Sequence, residues 1–319
     1  MIIDFEHHFL PKELFVRAGG QEGKVVTVMD GETQRTTLHD YLHRLDYHIR
    51  DMDTAGIDIA VISAAGPFEG LDDCKAINSA FAEIMRANRD RIVALSHVPA
   101  LGGKLALDEL DRAITELGLR GVSIRCQVEG LFLDSPKLHP FWEKVAKLDT
   151  PVFVHVATVP AGYQALQAPY DLSRSLGREF DLLNATVRLI VSGVLEEFPE
   201  LNIVLAHMGG GISAIRERIL MRGYGGLTDV MNRMKRSFDE YLSRLYFDMA
   251  GFEGGINAVK CALTTLSPKQ LLFATDYPQN FTGDGEGMRK YIENIKELPL
   301  SAKDKEDMLG GNAAKLLKL

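Results

Sequence analysis

Cysteine is scarce in this sequence, and the little there is does not cluster. Cys74, Cys126 and Cys261 are the whole complement; they form no CxxC pair and are too far apart to build a disulfide framework or a sulfur-ligated zinc site. A reducing cytoplasm is therefore the expected compartment. An excess of basic charge is missing too: 36 lysines and arginines face 44 aspartates and glutamates, a net charge of −8. A nucleic-acid binder needs a basic stripe to neutralise phosphates, so no nucleic-acid partner is expected. No basic segment followed by an apolar run opens the chain, and no apolar stretch approaches a membrane span, so no membrane partner is expected either. There is no low-complexity tract, and no GxGxxG lies between the first strand and its helix, which argues against a dinucleotide-binding fold.

What is present is an ordinary globular composition, 46% hydrophobic and 25% charged, over 319 residues. That length suits two average domains or one large α/β domain, and no break in composition marks a linker. A single domain over 1–319 is expected. Apolar runs predict eight short strands, the first opening at Ile2 and ending with Glu6 and His8, and the others at 57–63, 92–98, 121–124, 151–156, 201–207, 245–249 and 270–275. Helical spacing fills the intervals. Tyr41, Leu42, Leu45, Ile49 and Met52 predict a helix over 38–54 that Ala55-Gly56 closes, and Ile77, Ala80, Phe81, Ile84 and Met85 predict one over 73–88. Further helices are expected at 103–117, 140–148, 174–198, 212–221, 255–266, 287–298 and 303–317. Residues 12–37 show no sustained period and read as a long loop. Residues 222–244 read as an insertion rich in Gly, Arg and Met. Eight strand–helix units in one chain predict a (β/α)8 TIM barrel rather than an open, doubly wound sheet.

In such a barrel the reactive groups sit at the C-terminal ends of the strands. Strand one ends in Glu6-His7-His8, where alternation sends Glu6 and His8 one way and His7 the other. Strand three ends near His97, strand five in His155 and strand six in His207; strand seven contains Asp248, and strand eight runs into Asp276. Any one of these could be a satisfied core histidine or a capping aspartate. Together, those at strands one, five, six and eight open onto one mouth. Glu6, His8, His155 and Asp276 offer two imidazoles and two carboxylates, a mixed set suited to Zn²⁺, Mn²⁺ or Fe²⁺. His207 remains as a general acid or base, its ordinary pKa lying near neutrality. His39 and His43, four apart in the predicted helix, lack an HExxH context and read as a surface pair. Trp142 reads as a packing anchor, and Gly209 to Gly211 as a bend allowing close backbone approach.

The chain resembles the amidohydrolase superfamily, in the branch of metal-dependent decarboxylases related to aminocarboxymuconate semialdehyde decarboxylase and γ-resorcylate decarboxylase. The landmarks are Ile3-Asp4-Phe5-Glu6-His7-His8, Met52-Asp53-Thr54-Ala55-Gly56-Ile57-Asp58, Phe141-Trp142 and Pro151-Val152-Phe153-Val154-His155. They continue with Phe198-Pro199-Glu200-Leu201, Ala206-His207-Met208-Gly209-Gly210, Ala274-Thr275-Asp276-Tyr277-Pro278 and Gly310-Gly311-Asn312-Ala313-Ala314. Where the superfamily usually opens with His-x-His this chain has Glu6-x-His8, a departure also seen in dihydroxybenzoate-type decarboxylases.

The resemblance implies one divalent ion, Zn²⁺ or Mn²⁺, on Glu6, His8, His155 and Asp276. A strand-four end of Ile124 and Arg125 offers no lysine to bridge a second. It implies His207 and Asp276 as catalytic residues, with Asp276 as proton donor, and a small hydroxylated aromatic or unsaturated carboxylate as the substrate. The family's substrate-contacting arginine falls near Arg216 and Arg218, of which Arg218 is preferred; Arg125 is a further candidate at the mouth. A homo-oligomer, dimer or tetramer, is implied as well. Two other readings stay open: a metal-dependent hydrolase of a lactone, amide or related ring, and a non-catalytic metal- or ligand-binding barrel.

Overall fold

The eight apolar runs form strands. The computed structural model describes every residue except 31–32, 65–67, 69, 158, 161, 163–165, 167–169, 171, 222–224 and 252–254. The barrel strands are β1 (Ile3–Phe9), β2 (Ile59–Ala64), β3 in two pieces (Ile92–Ala94 and Ser96–His97), β4 (Val122–Arg125), β5 (Val152–His155), β6 (Ile203–Leu205), β7 (Tyr246–Asp248) and β8 (Leu271–Leu272). Each pairs with its neighbours in parallel. The break in β3 lets its first piece pair with β2 and its second with β4. Backbone bonds close the last seam between β8 and β1: Phe5 N–H donates to Phe273 O at 2.9 Å and Asp276 N–H to Glu6 O at 2.9 Å. The predicted closed (β/α)8 barrel is what forms.

Strands lined by helices outside and by each other inside are buried on both faces, which is why they read as continuous apolar runs. All of β1 is buried, and inside the barrel Phe5 meets Phe153 edge-on, ring centroids 5.5 Å apart. Trp142, on the helix His139–Leu148, is buried and donates from Nε1 to Leu133 O at 2.9 Å. A buried tryptophan with its N–H satisfied is a packing anchor, as expected. Gly56, at φ 78°, ends the helix Leu45–Ala55 in the left-handed conformation that costs glycine little. No helix among the described residues is long and apolar enough to cross a membrane.

Four expectations are corrected. Residues 12–37 are not one loop. Lys12–Arg17 is a short helix that buries Leu14 and Phe15, and Val26–Asp30 pairs with Thr33–Leu38 in an antiparallel hairpin; residues 31–32 lie outside the described ones. Two buried side chains are too few to show a helical period. In the hairpin only Val26 and Val28 among its first strand pack on the core.

The helix expected over 38–54 begins at Leu45, because Leu38 belongs to the hairpin and Asp40–Leu42 form a separate 3₁₀ turn. His39 and His43 therefore share no helix, and His43 is buried against Phe15, ring centroids 4.2 Å apart, rather than lying on the surface. The helical stretch expected over 174–198 is a π turn at Ser173–Gly177 and helices Arg178–Val191 and Val194–Glu197, interrupted at Gly193 with φ 93°. The described part of the 222–244 insertion carries two short helices, Gly225–Met231 and Phe238–Leu242, the second opened by a capping box of Ser237 and Glu240.

Candidate metal centre and active site

The site is organised by how β1 is strung. Asp4 pairs with Ala60 and His7 with Ile62, so β1 holds one residue more than β2 between these pairs. A bulge of this kind re-aims a side chain, and bulges concentrate near active sites for that reason. Glu6 lies within it. Beyond it His8 points with Glu6 into the mouth, while His7 points away. The seam then fixes the partner strand: Asp276 N–H donates to Glu6 O, and His8 N–H to Tyr277 O at 2.6 Å. Asp276 itself takes φ 57°, the left-handed region that aspartate tolerates better than most residues.

Glu6, His8, His155 and Asp276 each bring one ligand atom into a group whose atoms all lie within 4.8 Å of one another, and among the described residues this is the one such group. His155 Nε2 is 2.9 Å and His8 Nε2 3.5 Å from Glu6 Oε1, and His8 Nε2 is 3.1 Å from Asp276 Oδ1. Both oxygens of Glu6 are buried without a properly directed hydrogen bond. Nitrogen and oxygen lone pairs that converge without bonding one another fit a shared cation.

The electrostatics agree. Burial opposes charge on His8, yet Asp276 and Glu6 raise it to about 9: these carboxylates call for positive charge between them, which a divalent ion supplies. Burial also works against ionised Glu6, but His207, with contacts to His155 and His8, holds its carboxyl well below the ordinary range. Burial and the nearby Glu6 push Asp276 the other way, upward, against the pull of His8. Two carboxyls in one site are thus driven apart, the pattern that separates a fixed anion from a proton carrier.

His207 stands beside the cluster, Nε2 3.6 Å from Glu6 Oε2. It opens a left-handed run, His207 to Gly211, with φ between 51° and 75°. Gly210 is required there, since a Cβ would run into the backbone of Glu179 and Leu183; at Gly251 a Cβ would strike the His207 ring. Asp248 does not join the ligand group. Its Oδ1 accepts from His207 N–H at 2.8 Å and Ala250 N–H at 3.1 Å, clamping the backbone that carries His207. His207 Nδ1 lies 2.7 Å from Glu179 Oε1, a carboxylate on the helix Arg178–Val191. Burial alone would lower the His207 pKa, but Glu179 and then Glu6 raise it well above the ordinary value.

The sequence reading missed Glu179 altogether. It also missed the support behind β1, where buried Asp4 accepts from Thr275 N–H at 2.9 Å and Thr275 Oγ1–H at 2.6 Å. His7 Nδ1 lies 2.8 Å from Asp4 Oδ2 and His7 Nε2 2.8 Å from His48 Nδ1, so the histidine that points away braces the strand. Polar partners of this sort fix the orientation of the groups in front of them. Asp4 offered a signal, a carboxylate in an apolar strand that must find donors once buried.

Of the arginines, Arg216 pairs with Asp239, Nε to Oδ1 at 2.7 Å, and Arg218 is exposed on the helix after the left-handed run. Arg125 is at the mouth, Nη1 2.7 Å from His155 Nδ1. His97 accepts from Ala64 N–H at 2.9 Å through Nε2 and stays outside the ligand group.

Glu179→Gln keeps the shape but removes a charge. It is expected to lower the His207 pKa and cut turnover about 10- to 100-fold. A cationic His207 is present below its pKa and lost above it, so the alkaline limb of a pH–rate profile should move to lower pH. An unmoved limb would remove Glu179 from this role.

A parallel eight-stranded barrel with a Glu-His-His-Asp group at the C-terminal ends of its strands, and a third histidine beside it, defines a metal-dependent hydrolase-type barrel. The amidohydrolase family model matches residues 3–319, and the chain belongs to that family. It is 30% identical over 285 residues to 2-amino-3-carboxymuconate-6-semialdehyde decarboxylase of Dictyostelium discoideum, covering 86% of this chain and 76% of the relative. It is 26% identical to γ-resorcylate decarboxylase of Rhizobium sp. (strain MTP-10005), covering 86% of each. Among solved structures, 5-carboxyvanillate decarboxylase of Novosphingobium aromaticivorans, with bound manganese, superposes with a TM-score of 0.83 at 21% identity, covering 100% of this chain and 97% of that one. That likeness is one of fold.

Proposed function

We propose that this chain, acting as one unit over 1–319, is a metal-dependent decarboxylase that removes CO₂ without oxidation from a small hydroxylated aromatic or unsaturated carboxylate. The observation that carries the reading is the convergence of Glu6, His8, His155 and Asp276 with His207 alongside, in a family whose relatives named above are decarboxylases. The four ligand candidates would hold one divalent ion, Zn²⁺ or Mn²⁺; when bound, it supplies a Lewis-acidic grip on the carboxylate and on an adjacent hydroxyl or carbonyl oxygen.

The residues do the rest. Asp276 Oδ1 faces His8, and its other oxygen, Oδ2, would carry the proton. Asp276 gives it to the carbon that bears the carboxylate, which removes aromaticity at that carbon. The carbon–carboxylate bond then breaks, its electron pair returns to the ring, and CO₂ departs. His207, cationic between Glu179 and Glu6, holds positive charge beside the reacting group as Asp276 becomes an anion. Burial of Glu6, His8 and His207 keeps water from screening these charges.

We further assign the protein to the cytoplasm and to a homo-oligomer, dimer or tetramer, in which exposed Arg218 is offered to the substrate of a neighbouring copy.

The test is CO₂ release across a panel of hydroxybenzoates, set against ring opening across a panel of lactones and cyclic amides. CO₂ from at least one hydroxybenzoate is expected. Ring opening without CO₂ would replace this reading with a hydrolase.

A further inference from the structure

The helix Leu45–Ala55 sends one fully buried side chain, His48, to the back of the metal centre. There His48 packs on three rings: those of His7, with centroids 4.9 Å apart, Tyr277 at 5.0 Å and Phe9 at 5.3 Å. Each of the three is the immediate chain neighbour of a ligand candidate. His7 stands between Glu6 and His8, Phe9 follows His8, and Tyr277 follows Asp276. Side chains alternate along β1, so what holds His7 and Phe9 from behind fixes where Glu6 and His8 point in front. Three of the four ligand candidates are reached in this way; the fourth, His155, sits on β5.

The contact with His7 has a direction. A carbonyl only accepts, so Tyr41 O, beside His48 Nε2, places the hydrogen on that nitrogen. Burial, with His7 next to it, holds the His48 ring neutral by lowering its pKa well below the ordinary value. The lone pair is then on Nδ1, where it accepts from His7 Nε2–H at 2.8 Å. The other side of the His7 ring meets Asp4, Nδ1 to Oδ2 at 2.8 Å.

Asp4 and His7 are the two residues that flank the bulge in β1. A bulge leaves its extra residue outside the ladder, so backbone pairing alone does not set the aim of Glu6. The Asp4–His7 contact spans the irregularity, and His48 holds the His7 end of it. The His7 ring also stacks on Tyr277, centroids 4.7 Å apart and planes 22° apart, which extends the same hold to the chain next to Asp276.

We propose that His48 is a positioning residue for the metal ligands: by accepting from His7 it fixes the aim of Glu6 and His8, and by packing on Tyr277 that of Asp276. This rests on the four-ligand reading of the site and holds whichever reaction the site performs.

Calorimetry of Mn²⁺ binding to the metal-free full chain tests it. His48→Leu removes the acceptor that faces His7, and the Mn²⁺ dissociation constant is expected to rise about 10- to 100-fold, the range for polar partners behind ligands. His48→Asn has nearly the same shape as His48→Leu, but its Oδ1 falls where His48 Nδ1 stands, so it should recover most of the loss. His43→Leu is the control. It removes another buried histidine, packed on Phe15, and should lower the melting temperature with Mn²⁺ affinity unchanged. If His48→Leu does not fold, His48→Gln decides, because its longer amide reaches Tyr41 O and leaves His7 without an acceptor. Wild-type affinity in whichever of these two folds would overturn the proposal. So would equal weakening in His48→Leu and His48→Asn, or in His48→Leu and His43→Leu. A wild type that holds no Mn²⁺ would remove the ligand set itself, and the positioning role with it.

Discussion

Asp276→Asn is expected to leave a folded protein that has lost both its metal and its turnover. The substitution removes a proposed ligand and the proposed proton donor in one step. The fall in kcat/KM should be at least about 10³-fold, within the range attributed to general acid catalysis alone. His155→Ala separates the two roles, because it deletes a ligand and leaves the donor. Metal analysis of dialysed protein is expected to find one ion per wild-type chain and little in either variant. Unchanged metal content in both would remove these residues from the ligand set. Melting temperature provides the control, since the backbone at Asp276 is also tied to Glu6 across the barrel seam.

His207→Ala should behave oppositely toward the metal. It is expected to keep the ion and lose turnover by about 10²- to 10⁴-fold. The reason is positional: His207 Nε2 reaches Glu6 Oε2 only at 3.6 Å, while its Nδ1 is held by Glu179. It touches the site from one side without joining the group of four. Wild-type turnover in His207→Ala would eliminate it from the mechanism, and loss of the ion would make it a ligand.

The barrel and the four ligand candidates were legible because both depend on local pattern. Buried parallel strands read as apolar runs, and a polar residue ending such a run, as His155 ends Val152-Phe153-Val154, stands out. The order of those strand ends around one mouth follows from the topology. Glu179 was not legible. It lies on a helix between Arg178 and Phe180, where a glutamate looks like ordinary surface charge, and only tertiary packing brings it to His207. The close approach that allows this depends on Gly210, which had been noted for its bend without its partner. The same limit applies to His48, which meets His7 from 41 positions away. The hairpin over 26–38 was missed because it packs against the core with few side chains. His43 was misplaced because the 3₁₀ turn before Leu45 continues the helical spacing without the helix.

The central claim is that this site protonates the carbon bearing a carboxylate and releases CO₂. Turnover of a hydroxybenzoate labelled with ¹³C in its carboxyl group, run in D₂O with Mn²⁺ and followed by NMR, tests it most directly. The account predicts that the label leaves as CO₂ or bicarbonate while one deuterium appears on the vacated carbon, and that Asp276→Asn shows neither. Label retained in the organic product while another bond is hydrolysed would contradict it.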